Sequence, residues 1–343
     1  MMNYREGLFD TTNFRQDYLD GVEALIAARQ KDAESVRADY FKDIFADPEA
    51  YRQDLKKMLG WPLVDHNDDG IPAFKKVKLA DEDGYSIYRM TFEVLDGLEM
   101  TGLYFEMNGA GKRPLVLVQH GGSGTPEAVS GIYGTHSNYN DMLPRVIAQG
   151  VHAFAPQLLL WKVERYGVPY ERKDIDARLK RVGSSITAIE IYALIRILNY
   201  FEKQENVLNF GMVGLSYGGF YTLTLAALDT RIKSAISCSF FNTRDSYPWS
   251  DWTWWRSAEQ FDDAEVACLV YPRKLCIELG DHDKLFDVTY GKRSFERLEG
   301  ICREVGTDWV TFMTFDGDHE FCKDDEPIRR LAEYLKANNF AQE

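Results

Sequence analysis

A serine held between glycines, Gly214-Leu215-Ser216-Tyr217-Gly218-Gly219, stands at a junction that few folds accommodate. Before it runs the apolar stretch Phe210-Gly211-Met212-Val213. After it comes the helix-compatible stretch Tyr221-Thr222-Leu223-Thr224-Leu225-Ala226-Ala227-Leu228. A buried strand must turn into a helix here, and the two backbones then pass so closely that glycine is needed on either side. The serine at the tip of such a turn is strained, and the free N–H groups of the new helix favour negative charge beside it. A glycine-rich turn with an incidental serine is the plainer alternative, so the rest of the chain decides.

Short apolar runs recur on both sides of this junction. They are Leu115-Val116-Leu117-Val118, Val151-His152-Ala153-Phe154-Ala155, Ser234-Ala235-Ile236-Ser237-Cys238, Leu275-Cys276-Ile277-Glu278-Leu279 and Val310-Thr311-Phe312-Met313-Thr314-Phe315. Helix-compatible segments lie between most of them, notably 184–203 and 289–303. Apolar strands alternating with helices predict an α/β fold, a mostly parallel sheet with helices on both faces. Residues 73–107 switch to period two. There Tyr85–Phe92 and Met100–Phe105 flank Asp96-Gly97, which predicts a hairpin of antiparallel edge strands. Residues 1–72 form a helical N-terminal extension ahead of a single domain spanning 73–343. In the extension Tyr18, Val22, Leu25 and Ile26 recur at helical spacing, and so do Val36, Tyr40, Phe41, Ile44 and Phe45. Asp47 and Pro48 start a further helix as N-cap and first residue. The extension is expected to pack beside the domain, with a contact between copies as the alternative.

A chain of 343 residues with 45% hydrophobic and 27% charged residues has the profile of a soluble globular protein. Its formal net charge of −14 opposes binding to nucleic acid or to an anionic membrane. No apolar run reaches the roughly 18 residues of a membrane span, and the first residues do not resemble a signal peptide. The 5 cysteines (Cys238, Cys268, Cys276, Cys302, Cys322) form no CxxC pair, and read as reduced thiols of a cytoplasmic protein.

A reactive serine needs a base, and the base needs a carboxylate to orient it. After the run at 275–279 comes Gly280-Asp281-His282-Asp283, and after the run at 310–315 comes Asp316-Gly317-Asp318-His319. Ser216, Asp283 and His319 thus follow in chain order, each just beyond an apolar strand. His282 is the rival base, although it lies in the acid's own loop. Asp281 is the alternative acid, and Asp318 reads as a solvated loop carboxylate. Gln119-His120-Gly121-Gly122-Ser123-Gly124 follows the run at 115–118, where glycines let backbone N–H groups approach a carbonyl oxygen. The N–H groups of Gly122 and Tyr217 are the expected oxyanion donors. A phosphate-binding loop is disfavoured because the Lys-Ser/Thr ending is missing. Asp281, His282, Asp283, Asp318 and His319 show no metal-ligand spacing, so neither metal nor cofactor is expected.

Over roughly residues 74–340 the chain resembles the α/β-hydrolase fold, and within it the bacterial acetyl-xylan-esterase and dienelactone-hydrolase-like group. The resemblance rests on His120-Gly121-Gly122, the turn at Ser216, Gly280-x-x-Asp283, Asp318-His319, and Leu179–Ile186 before a long helix. It implies a serine carboxylesterase acting on a small-molecule ester, with acetylated carbohydrates among the expected substrates. Dienelactone hydrolases proper carry a cysteine nucleophile, so Ser216 favours ester hydrolysis of the serine type over lactone chemistry. Two other readings stand beside it, a prolyl-oligopeptidase-like serine peptidase and a non-catalytic hydrolase-fold binding protein.

Two insertions fall where substrate loops belong. Residues 156–183 carry Trp161, Tyr166 and Tyr170 with Lys162, Arg165, Arg172 and Lys173. The second, near 240–260, holds Trp249, Trp252, Trp254 and Trp255. Aromatic rings stack on sugar faces and acyl groups alike, so these tryptophans are the expected substrate-binding residues. The alternative is a lid packed into its own small core.

Overall fold

The apolar runs become the centre of one sheet. A computed structural model describes residues 2–340 apart from 8, 10, 67–69, 135–136, 161–166 and 247–248. Its strands are β1 (Phe74–Glu82), β2 (Tyr85–Leu95), β3 (Leu98–Met107), β4 (Arg113–Gln119), β5 (His152–Pro156), β6 (Val207–Leu215), β7 (Ile232–Cys238), β8 (Lys274–Gly280) and β9 (Val310–Phe315). They line up in the order β1-β2-β3-β5-β4-β6-β7-β8-β9. β1, β2, β3 and β5 pair antiparallel, and every pairing from β5 through β9 is parallel. The expected hairpin is β2–β3, with a further strand, β1, at the outer edge.

β4 is buried along nearly its whole length because helices cover both of its faces. Leu115 and Leu117 join one core, and Val116 and Val118 the other. The first core holds α6 (Ile186–Glu202), α7 (Tyr217–Leu228), α9 (Asp263–Cys268) and α10 (Val288–Ile301). The second holds α3 (Pro126–Ser130), α4 (Met142–Ile147) and α11 (Glu326–Ala337). Two short helices, α5 (Arg172–Lys180) and α8 (Ser257–Gln260), belong to the two insertions.

The extension contains α1 (Thr12–Tyr40) and α2 (Pro48–Leu59). α2 begins as its sequence dictates, the Asp47 carboxylate accepting the Ala50 N–H at 3.2 Å with Pro48 in the first turn. Its Leu55 and Leu59 enter the first core. α1 departs from expectation, because only Ala33 and Arg37 are buried along its 29 residues. Tyr18, Leu25 and Ile26, expected to pack beside the domain, are exposed. Their spacing describes an apolar face, and nothing in spacing says what covers it.

Candidate active site

The carboxyl ends of β4, β6, β8 and β9 share one edge of the sheet, and each passes into a loop carrying one component of the site. At the end of β6, Ser216 takes φ +61° and ψ −120°, a conformation that costs a non-glycine residue about 1–3 kcal/mol. Close packing holds it there. A Cβ on Gly214 would lie 2.2 Å from the Gly218 carbonyl oxygen, and one on Gly218 would lie 2.2 Å from that of Gln119. The Ser216 N–H donates to the Cys238 carbonyl at 2.8 Å, fixing the turn to β7. Ser216 itself is 4% exposed.

The acid and base meet beyond β8 and β9. Asp283 Oδ2 lies 2.7 Å from His319 Nδ1. Its other oxygen, Oδ1, accepts the N–H groups of Leu285 at 2.8 Å and Phe286 at 2.9 Å. The carboxylate is thereby held in one orientation and its side chain is fully buried, while a quarter of the His319 side chain remains open. The Phe286 ring stacks on the imidazole at 5.5 Å. Asp281 and Asp318 are exposed, and His282 pairs with Asp316 at 3.0 Å in solvent. The structure thus brings Asp283 to His319 and leaves the rival carboxylates and the rival histidine outside. Among the described residues no group of three or more His, Cys, Asp or Glu converges as a metal site.

The loop after β4 is shaped by His120. Its Nε2 accepts the Leu158 N–H at 3.1 Å, which leaves the ring proton on Nδ1 to donate to the Gly121 carbonyl at 2.9 Å. Burial pushes this imidazole down to about 4, so it stays neutral. Gly121 in turn donates its N–H to the Tyr139 hydroxyl at 2.8 Å. Gly121 also packs against the elbow, since a Cβ added to it would sit 3.4 Å from Ser216 Cβ.

Tyr139 belongs to a turn that sequence reasoning missed. Its neighbour Asn138 donates through Nδ2 to the His319 carbonyl at 3.1 Å, and accepts the Phe321 N–H at 2.7 Å. Asn140 donates to the Glu320 carboxylate at 2.8 Å and the Phe321 carbonyl at 2.6 Å. Residues 138–140 therefore tie the glycine loop after β4 to the histidine loop after β9. Asn-Tyr-Asn has no motif value by itself, so no signal in the sequence marked it.

The insertions behave differently from expectation. Trp252 and Trp254, at 1% and 9% exposure, stand in the core instead of facing a substrate. Trp252 packs against Phe220 and Phe240, each at 5.1 Å, because the loop folds its rings back onto the elbow helix. Trp255 is 89% exposed and points into solvent. Trp249 stands in the lining of a small pocket beside Tyr217. Its ring stacks on Tyr217 at 5.7 Å and meets the edge of Phe286 at 6.1 Å, one ring removed from His319. Trp161, Lys162, Arg165 and Tyr166 lie outside the described residues.

Arg172 binds the two insertions together. It donates to Asp251 Oδ2 at 2.7 Å and to Glu190 at 3.1 Å, both partners buried. The same Asp251 oxygen accepts the Tyr217 phenol at 2.8 Å, so the residue after Ser216 is anchored through this ion cluster. Tyr217, Trp249, Asp251, Glu171, Arg172 and Lys173 line a pocket of about 180 Å³, which adjoins the elbow without being lined by Ser216 or His319. A second cavity of about 590 Å³ opens beyond Gly122 and Gly124, where Leu158, Leu159, Leu160 and Val168 stand beside Glu99, Glu127 and Glu190. It touches the glycine loop, and neither Ser216 nor His319 lines it.

Residues 128–251 match the dienelactone hydrolase family. Among solved structures, a provisional acetyl xylan esterase from Bacteroides fragilis NCTC 9343 superposes with a TM-score of 0.64 at 18% identity, covering 78% of this chain and 74% of its own. A glucuronoyl esterase from Solibacter usitatus gives 0.60 at 13% identity, covering 84% and 93%. Acetyl xylan esterase 1 from Thermoanaerobacterium sp. JW/SL YS485 gives 0.53 at 15% identity, covering 85% and 94%. The chain has the α/β-hydrolase fold. Comparison with curated proteins finds no match. The expected resemblance of this α/β-hydrolase to the acetyl-xylan-esterase and dienelactone-hydrolase-like group is met in both the family match and the structural neighbours. No helix among the described residues is long and apolar enough to cross a membrane.

Proposed function

We propose that this α/β-hydrolase is a serine carboxylesterase that removes small acyl groups, with acetylated carbohydrates as its substrate class. The observation that carries the reading is the buried Asp283 carboxylate at 2.7 Å from His319 Nδ1, on the sheet edge that also presents Ser216 in its strained turn. In this mechanism His319 takes the Ser216 proton through Nε2 while Asp283 holds the Nδ1–H and steadies the imidazolium. The N–H groups of Gly122 and Tyr217 receive the developing oxyanion, and such donors commonly contribute a factor of about 10²–10³ each. An acyl-enzyme forms on Ser216, the alcohol leaves with the proton from His319, and water activated by the same histidine releases the acid.

Two features near Ser216 bear on the substrate. Trp249 stacks on Tyr217, the residue after Ser216, which places an aromatic ring suited to a sugar face close to the serine. The larger cavity beyond Gly122 combines aliphatic side chains with polar ones, Thr101, Gln157 and Glu99 among them, a mixture that suits a hydroxylated alcohol. Cytoplasmic residence belongs to the same reading, supported by five cysteines that are all free thiols. The test is initial-rate hydrolysis of p-nitrophenyl acetate and longer acyl homologues by wild type and Ser216→Ala. The expected result is acetate as the best acyl group and a loss of about 10⁴-fold or more in kcat for the variant. Equal rates in the two proteins overturn the reading.

A further inference from the structure

α1 is about 43 Å long at 1.5 Å per residue, and of its residues only Ala33 and Arg37 are buried. At about 100° per residue, Tyr18, Leu19, Val22, Leu25 and Ile26 fall within about 60° either side of Val22. Continuing the same band toward the C-terminus brings Ala33, Val36, Arg37 and Tyr40 onto that face. This second half is docked. Arg37 donates to the Ala258 carbonyl and lies 3.3 Å from Glu265, and the Tyr40 ring meets Phe261 edge-on at 6.1 Å. The docked part ends at Arg29, which reaches Glu259 of α8 at 3.2 Å. Beyond Arg29 the band is largely exposed, with Tyr18 at 78%, Leu25 at 67% and Leu19 at 50%, and Val22 at its centre half-buried.

We infer that the exposed half of α1 is the interface through which two copies of this chain associate, each helix lying along the other about a two-fold axis. Area is the first argument. With Phe14, also exposed, the uncovered side chains amount to roughly 500 Å² per helix, at the upper end of what a monomer leaves open. Two such faces fully covered supply roughly 1,000 Å², the low end of the specific range, where association is weak and concentration-dependent. Charge is the second. Molecules of net charge −14 repel one another, so they meet most readily through a patch without acidic groups. Asp17, Asp20 and Glu23 all lie off the band, and its cations are only Arg15 and Arg29, the latter already paired with Glu259. The acidic flank also disfavours an anionic lipid surface, which selects helices with Lys and Arg on the polar face. A two-fold pair is self-complementary and places an apolar band against its own copy.

The experiment is light scattering after size exclusion on the full chain, over roughly 5–100 µM, for wild type, Leu25→Asp and the double variant Leu19→Asp/Ile26→Asp. The wild type is expected as a dimer and both variants as monomers. Hydrolysis of p-nitrophenyl acetate is expected to be unchanged, since α1 contributes no residue to the site. Val22→Cys without the aspartates is expected to form a disulfide-linked dimer on a non-reducing gel, whereas the wild type does not. That readout stands even if the aspartates disturb folding. A wild type that is monomeric at 100 µM overturns the inference, and so does a dimer that survives both variants and leaves Val22→Cys uncrosslinked.

Discussion

Glu278, near the carboxyl end of β8, is 1% exposed, and its Oε2 has no hydrogen-bond partner among the described residues. Burial pushes its carboxyl from the ordinary 4.5 up to about 7, with the Cys238 thiol and Arg145 acting weakly in the opposite direction. An acid whose folded value is raised holds its proton longer in the folded state than in the unfolded one. Below about pH 4.5 both states are protonated and the site costs nothing. As pH rises toward 7 the unfolded chain ionises first, and stability falls until the folded carboxyl has ionised too. A displacement from 4.5 to about 7 corresponds to about 3 kcal/mol. Glu278→Gln keeps the shape and removes the titration. At pH 5 the variant should match the wild type closely, and at pH 8 it should be more stable by up to about 3 kcal/mol. For a chain of this length that is about 4 °C in Tm. The assay is urea and thermal unfolding of both proteins at half-unit steps from pH 5 to 8. Other raised carboxyls, such as Asp263 at about 6, are present in both proteins and cancel in the difference. A difference that stays flat with pH, or shrinks as pH rises, refutes the assignment of the penalty to Glu278.

Asp283→Asn should leave the fold within about 1 kcal/mol while lowering kcat on p-nitrophenyl acetate by about 10³–10⁴-fold at nearly constant KM, because the amide no longer steadies the imidazolium; steady-state kinetics with melting controls check it. Tyr139→Phe strands the Gly121 N–H, so stability should drop by about 1–3 kcal/mol and kcat by about 10-fold as the glycine loop loosens. Urea midpoints and kcat measured together test that pair of effects. Trp252→Ala should cost about 3–5 kcal/mol as a core truncation, whereas Trp255→Ala should change stability by less than about 0.5 kcal/mol. Equal costs by denaturant unfolding would place the two rings in similar surroundings and contradict the structure.

What could be read from sequence divides along the range of the interactions that fix it. The elbow motif is local: Gly214, Ser216 and Gly218 state a steric requirement within five residues, and a Cβ on Gly214 would lie 2.2 Å from the Gly218 carbonyl oxygen, although the need for Gly218 comes from Gln119 of β4. Strand alternation is local as well, since a run buried on both faces, such as 115–118, has no polar side to show. The choice between Asp281 and Asp283 is not local. Both follow β8 in one tetrapeptide, and only the direction of the turn decides which carboxylate is buried against His319 and which faces water. The tryptophans failed for a related reason. Aromatic density says that rings will be covered, and it does not say whether substrate or the loop's own core covers them. Trp252 found Phe220 and Phe240, leaving Trp249 stacked on Tyr217.

The turn at 138–140 is the clearest case of information that periodicity and motif cannot hold. Gly121 and His319 lie far apart in sequence, each in a segment legible by itself. What sets their separation is one tyrosine hydroxyl at 2.8 Å from the first and one asparagine amide at 3.1 Å from the backbone of the second. Oxyanion donors and a general base must be held within a fraction of an ångström to work on the same carbonyl. A rigid link between their loops therefore matters as much as the chemical groups themselves. Tyr139 and Asn138 carry no reactive role, so a search for nucleophiles, bases and acids passes over them. Their signature is geometric, two neighbouring residues that each end in a different loop of the candidate site, and it becomes visible only when the chain has folded.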